Sequence, residues 1–192
     1  MDTIQRIDTS AFFIINHLSH VWWSDFLSEC FSGFGLSWII WFIIGVILFI
    51  RKEKKDHWFW VPLCIAAISC YIFSEVLCKN IVMRPRPDML SSAIVIGSVP
   101  RSFSFPSTHA TVAFAFAYLF SRKELHWFWM YGLAFLVCIS RIYLGHHYPI
   151  DVLGGMLLGT VIGMMSTLLD TVLHKTKRLA VRYSSKNKGK RI

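Results

Sequence analysis

The sequence predicts an all-α fold: a polytopic transmembrane helical bundle of about five spans, with interfacial helices at its N-terminus. Three observations carry that prediction. Of 192 residues, 55% are hydrophobic and 16% aromatic, a balance that belongs to membrane chains rather than ordinary soluble ones. The apolar residues gather into runs close to the roughly twenty residues that cross a bilayer core. The charged residues, 16% of the chain, collect between those runs and at the C-terminal end.

Residues 1–29 mix Asp2, Arg6, Asp8, Asp25 and Glu29 with Ile, Phe and Trp, and contain Val21-Trp22-Trp23. Too polar to span, they predict one or two interfacial amphipathic helices with the tryptophans at headgroup level. The first twenty residues lack a basic start and a small-residue cleavage site, so insertion is expected to use the internal helices. Cys30 to Ile50 carries no charge and forms the first span, closed by Arg51-Lys52-Glu53-Lys54-Lys55-Asp56. Trp58 to Cys78, apolar apart from Glu75, forms the second.

Residues 79–103 form the longest loop, with three prolines, and that length marks a functional segment. Ser104 to Ser121 is the third span. Its opening Phe105-Pro106-Ser107-Thr108-His109 reads as a helix start capped by Ser107. Trp127 to Ser140 is a short fourth span, extended through Tyr143 and Leu144. Val152 to Leu169 is the fifth, where Gly154, Gly155, Gly159 and Gly163 predict close helix packing. Residues 1–174 thus make one integral membrane domain, and residues 175–192 a basic tail. The five cysteines have no metal-ligand or redox spacing and read as small buried hydrophobes.

The formal charge of +9 fits either nucleic acid or an anionic membrane surface. Placement decides for the membrane and against nucleic acid, because eight of the twenty Lys and Arg follow the last apolar run. With five spans, the loops at 51 and 122 and the tail share one face carrying fourteen Lys and Arg, against six on the other. The positive-inside rule puts the fourteen in the cytoplasm and the polar loops on the extracytoplasmic face of a cell inner or plasma membrane.

Three polar clusters lie on that outer face: Lys79 with Arg86-Pro87, then Pro106-Ser107-Thr108-His109, then Ser140-Arg141 with His147 and Asp151. Charge near a bilayer core costs about 2.5–3.5 kcal/mol per group on insertion scales, so such clusters mark function. Fixed cations and a helix N-terminus suit a phosphate, which guanidinium grips bidentately and free backbone N–H groups complete. His147, with Asp151 four residues on, has the spacing of a nucleophile whose ring a carboxylate orients. His109 then supplies acid and base chemistry. No acidic cluster suits magnesium and no ligand set has zinc spacing, so no metal and no cofactor is expected. Glu75 stands one turn before Lys79 and pairs with it. Arg84 reads as a rim cation, Asp88 as a turn residue, and His146 as structural or rim. The histidines outside the motifs read as surface or interfacial.

Lys79-x6-Arg86-Pro87, Pro106-Ser107-Thr108-His109 and Ser140-Arg141-x5-His147-x3-Asp151 are similar, in order and spacing, to the three signature motifs of the type 2 phosphatidic acid phosphatase family of membrane lipid phosphatases. The resemblance implies a metal-independent phosphatase working through a phosphohistidine. It assigns Lys79, Arg86, Ser107 and Arg141 to phosphate binding, His109 to acid and base work, His147 to nucleophilic attack and Asp151 to its orientation. Thr108 stands where the family most often has glycine. Its N–H still donates to phosphate, while its β-branched side chain narrows the approach.

The expected substrate is a lipid phosphate or diphosphate. The short form and outward site resemble bacterial undecaprenyl-diphosphate phosphatases; phosphatidylglycerophosphate, phosphatidate and lipid A phosphatases share the motifs. A lipid phosphotransferase would use the same chemistry with a different acceptor. A non-catalytic transporter or scaffold would need neither histidine.

Overall fold

A computed structural model describes residues 3–32, 36–53, 60–122 and 128–188. Its elements are α1 (Thr3–Asn16), α2 (Trp22–Ser32), α3 (Leu36–Leu48), α4 (Trp60–Tyr71), α5 (Lys79–Val82), α6 (Thr108–Ser121), α7 (Phe128–Tyr143) and α8 (Pro149–Lys188). A π-helical stretch, Ile72–Cys78, joins α4 to α5 without a break, and another, Phe49–Glu53, extends α3. No strand occurs among the described residues.

Several expected boundaries move. The first span does not begin at Cys30, which belongs to α2; its helix starts at Leu36. The expected 79–103 loop begins four residues late, because nothing breaks the helix before Met83, whose φ of 51° ends it. Lys79 therefore sits on a helix. The third helix starts at Thr108 and not at Ser104, with Pro106 and Ser107 still outside it. The fourth helix does extend to Tyr143. The fifth starts at Pro149, whose missing N–H costs nothing in a first turn, and its backbone runs on through the basic tail to Lys188. Trp127 and most of the loops at 54–59 and 123–127 lie outside the described residues.

Among the described residues, two apolar stretches are long enough to cross a membrane, Trp60–Met89 and Pro149–Leu173. Three shorter apolar helices, Trp38–Arg51, Thr108–Ser121 and Phe128–Tyr143, accompany them. Of the cysteines, Cys70 and Cys138 are buried as expected, whereas Cys64 faces outward.

α6 is the central helix, with ten buried residues from Ala110 to Phe120, and its main partner is α8. The sequence reason is a small-residue face. A Cβ on Gly155 would stand 2.5 Å from the Ser107 carbonyl oxygen, one on Gly163 would stand 2.9 Å from that of Ala115, and one on Gly159 would overlap that of Thr111. The two backbones approach closely only because those positions lack side chains. That contact puts the starts of α6 and α8 side by side, with the Ser107 N–H donating to the Asp151 carbonyl at 2.9 Å.

α1 and α2 are helical as expected, and Trp22 and Trp23 are exposed. Their polar residues are not all at the surface, however. Asp8 and Asn16 of α1 are buried against the bundle. Asn16 donates to the carbonyls of Ile94 and Tyr143 and accepts from the Ile94 N–H, fastening α1 to the loop between α5 and α6.

Candidate active site

The third cluster owes its shape to how α7 ends. Gly145, at φ 78°, follows the last turn; the His146 N–H donates to the Arg141 carbonyl at 3.1 Å and the Gly145 N–H to that of Ile142 at 3.0 Å. This paired closure satisfies orphan carbonyls and turns the chain sharply. The His147 N–H joins it on the Arg141 carbonyl at 3.2 Å. His146 and His147 are thereby held beside Arg141, all three buried. Asp151, in the first turn of α8, reaches back to accept from the Tyr148 N–H at 2.9 Å, as a carboxylate at that position of a capping box does.

Arg86 meets this cluster from the first motif. Its guanidinium donates to the carbonyls of Ser102 at 2.7 Å, His146 at 2.9 Å and Phe103 at 3.2 Å, and its Nη1 lies 3.2 Å from His147 Nε2. A guanidinium only donates, so Nε2 carries the lone pair and Nδ1 the proton. Nδ1 in turn lies 3.4 Å from Ser104 Oγ and 3.8 Å from Asp151 Oδ2.

The expected direct hydrogen bond from His147 to Asp151 is therefore replaced by a longer contact of 3.8 Å between Nδ1–H and the carboxylate. Asp151 is occupied by Ser104 Oγ, by the Tyr148 N–H and, at 2.6 Å, by Arg84 Nη1. Burial, with Arg86, Arg141 and Lys79 nearby, holds the His147 imidazole well below the ordinary histidine range. Burial and Arg141 push His146 down to about 3, against a hydrogen bond from its Nε2 to the Ile96 carbonyl. Both rings are neutral near pH 7, and His147 has a free lone pair to offer.

Lys79 is buried and donates to Glu75 at 2.6 Å and to Ser102 Oγ at 3.1 Å. The predicted Glu75 pairing is thus present, and the π-helical turn between them sets its register: the Lys79 N–H bonds to the Ser74 carbonyl, five residues back. Thr108 Oγ1 donates to the same Glu75 oxygen at 2.8 Å and lies 3.1 Å from Ser74 Oγ. Its side chain is held by the first motif. Ser107 occupies the N-cap position of α6 without capping it. Its hydroxyl is buried and has no hydrogen-bond partner among the described residues, which is unusual for a buried polar atom. His109, in the first turn of α6, lies within electrostatic reach of Arg141, His147, His146 and Lys79.

The PAP2 superfamily profile matches residues 59–173, which holds all three clusters. The chain belongs to the PAP2 superfamily. It is 34% identical over 150 residues to decaprenylphosphoryl-5-phosphoribose phosphatase of Mycobacterium tuberculosis, covering 73% of this chain and 76% of that one. It is 33% identical over 143 residues to an undecaprenyl-diphosphatase of Bacillus subtilis, covering 73% and 72%. It is 28% identical over 135 residues to an undecaprenyl-diphosphatase of Sulfolobus acidocaldarius, covering 69% of this chain and 64% of that relative's length. The fold is that of a transmembrane PAP2-type phosphatidylglycerolphosphate phosphatase from Bacillus subtilis, with TM-score 0.70 over 89% of this chain and 88% of that one at 22% identity. This PAP2 protein is a phosphatase.

Three residues around the PAP2 clusters escaped the motif reading. Ser102 and Ser104, in the loop between α5 and α6, orient Arg86, Lys79 and Asp151. Arg84, expected at the rim, instead bridges Asp151 and Asp8 and lies over the Tyr148 ring at 4.3 Å. A serine in a loop carries no sequence signal. Arg84 carried one, a second Arg-Pro two residues before Arg86.

Proposed function

We propose that this chain is a metal-independent lipid phosphatase of five spans, with its site at the extracytoplasmic face and its tail in the cytoplasm, and that its substrate is undecaprenyl diphosphate. The observation that carries the chemistry is the His147 ring. Its Nε2 lone pair faces the Arg86 guanidinium while its Nδ1–H faces Ser104 and Asp151. The buried cations Lys79 and Arg141 lie within electrostatic reach of it, and the start of α6, with a buried Ser107 hydroxyl that has no partner among the described residues, is tied to Asp151 through the Ser107 N–H.

A terminal phosphate held by Arg86, Lys79, Arg141, Ser107 and the Thr108 N–H presents its phosphorus to Nε2. The lone pair forms a P–N bond as the P–O bond to the lipid phosphate breaks, and His109, which picks up a proton from solvent when the phosphate dianion binds beside it, gives that proton to the departing oxygen. His109 then takes a proton from water, whose oxygen attacks phosphorus. The P–N bond breaks, its electron pair returns to Nε2, and inorganic phosphate leaves. Charge balance at each stage comes from fixed cations, as electrostatic preorganisation requires. The carboxylates near the site are each engaged by a cation, Glu75 by Lys79 and Asp151 by Arg84. The undecaprenyl assignment is supported by the names of two relatives and by a site at the outer ends of apolar helices, where a head group meets the cations while its tail stays in the bilayer.

The test is phosphate release by detergent-purified protein in excess EDTA from undecaprenyl diphosphate, phosphatidylglycerophosphate and phosphatidate. Release is expected to resist chelation, to be fastest with undecaprenyl diphosphate, and to fall about 10³-fold or more in His147→Gln. Undiminished release by that variant would overturn the nucleophile. A different preferred lipid would overturn the substrate.

A further inference from the structure

Asp8 lies on α1, outside the residues that the superfamily profile covers, and is 2% exposed. Its Oδ2 accepts from Arg84 Nη2 at 2.5 Å and its Oδ1 from the Ile150 N–H at 2.9 Å. Ile150 is the second residue of α8, so the latter bond satisfies an orphan first-turn donor with an anion placed where the helix dipole favours it. The other arm of Arg84 goes to Asp151 Oδ1 at 2.6 Å. Asp151 stands 3.8 Å from His147 Nδ1 through its second oxygen. A continuous chain of contacts therefore runs from α1 to the His147 ring.

The charge along that chain is what gives Asp8 a function. Asp151 alone on Arg84 would form a neutral pair, and its carboxylate would offer little to a cation on His147. With Asp8 on the opposite side, one guanidinium is divided between two carboxylates, and the group carries a net charge of −1. Phosphorylation of Nε2 with Nδ1 still protonated makes the His147 ring cationic, so that surplus charge acts at the step where it is needed.

We propose that Asp8 is a positioning residue for the reaction: it draws off half of Arg84 and so leaves Asp151 charged toward the phosphorylated His147 ring. The inference rests on the phosphohistidine reading above. It brings the N-terminal helix, outside the signature motifs, into the catalytic apparatus.

The test is a charge-neutralisation cycle in the full chain, measured with undecaprenyl diphosphate and with inorganic phosphate as a binding probe. In Asp8→Asn the group's charge becomes zero, and kcat is expected to fall at least tenfold. KM and phosphate affinity should stay within about twofold, because Lys79, Arg86, Arg141 and Ser107 are untouched. Adding Arg84→Gln restores −1, and the double variant is expected to recover kcat to within a few-fold of the parent despite having lost more contacts. A clamp that only holds the fold predicts the reverse, a double variant as slow as Asp8→Asn or slower.

That outcome would overturn the inference, as would an Asp8→Asn kcat equal to the parent's. Thermal midpoints report folding. If Asp8→Asn alone fails to fold, the double variant decides: near-parental kcat supports the proposal and a tenfold loss overturns it. His147→Gln runs beside the cycle. If it retains turnover, the phosphohistidine reading has failed; if it is dead while the double variant stays slow, only the role of Asp8 has.

Discussion

Arg84 and Arg86 stand two residues apart and do opposite things. Arg84 meets two carboxylates, Asp8 and Asp151, and its charge is consumed there. Arg86 meets three carbonyls, a hydroxyl and the neutral His147 ring, and its charge is left intact. The neighbours register the difference: burial first, and then Arg86, Arg141 and Lys79, hold His147 in its neutral form, and Arg84 is not among those cations. A phosphate-binding arginine is thus defined less by where it sits than by what fixes it. Dipoles orient a guanidinium without cancelling it, whereas carboxylates do both.

The largest effect expected from this contrast is on Arg86. Arg86→Gln should lower kcat/KM about 10³-fold, since one preorganised donor to developing charge is worth roughly 10²–10³ and this side chain also binds the ground state. Arg86→Lys should recover little, because an ammonium cannot span carbonyls and phosphate as a planar fork does. Steady-state kinetics checks both, and a fall under tenfold would break the comparison from this side.

Arg84→Gln should produce the opposite profile. It leaves Asp8 and Asp151 as two buried carboxylates without their cation, a loss of about 3–5 kcal/mol of stability for a buried pair broken on one side. Inorganic phosphate should still bind within about threefold of the parent. Chemical denaturation in detergent and a phosphate titration read the two quantities separately. An Arg84 variant that loses phosphate before stability would mean that both arginines face the substrate.

Much of this site was legible because its chemistry is local. His147 and Asp151 are four residues apart, Glu75 and Lys79 likewise, and Gly145 with Pro149 brackets the turn that presents the histidines; spacing alone discloses such pairs. What stayed hidden is long-range. Asp8 and Ile150 are 142 residues apart, and an aspartate in an amphipathic helix looks like any solvated one until the half-buried Arg84 claims it. The same holds for Ser104, which reaches Asp151 across 47 residues. The helix ends were misplaced for a different reason. Hydropathy marks where apolar side chains stop, and past that point, at Cys78, the backbone continues as α5 to Val82, which no hydropathy pattern records.

Both arginines depend on how close α6 lies to α8, and a smaller effect is expected there. In Gly155→Val the new side chain would meet the Ser107 carbonyl and Ala110 Cβ, at 2.5 and 2.9 Å from its Cβ. The helices must part, at about 1–3 kcal/mol for an overpacked contact. Because the Ser107 N–H bonds to the Asp151 carbonyl, phosphate affinity should fall together with stability. That joint loss, measured in the same two assays, separates damage to the frame from damage to either arginine. Loss of stability with unaltered phosphate binding would show that Ser107 keeps its place without α8.

The smallest effect tests whether the free charge of Arg86 is felt by its neighbours. His146 is held neutral down to about 3 by burial and Arg141, with a further contribution from Arg86, whereas an unfolded histidine titrates near 6.5. Below about pH 6.5 the unfolded chain therefore binds a proton that the folded chain refuses. Stability is full above that pH and declines as pH falls toward 3. Between pH 7.5 and 5.5 the loss should be about 1.4 kcal/mol for this ring, measured as the change in denaturation midpoint. His146→Asn should remove that part of the slope. Arg86→Gln should keep this slope and raise the lower pH at which the loss levels off, because a ring relieved of a neighbouring cation accepts a proton more readily in the folded state. Arg84→Gln should leave that pH unchanged, since the charge of Arg84 is already spent on Asp8 and Asp151. A levelling-off that moved equally for both arginines would show that the carboxylates fail to screen Arg84, and the contrast between the two residues would be one of position alone.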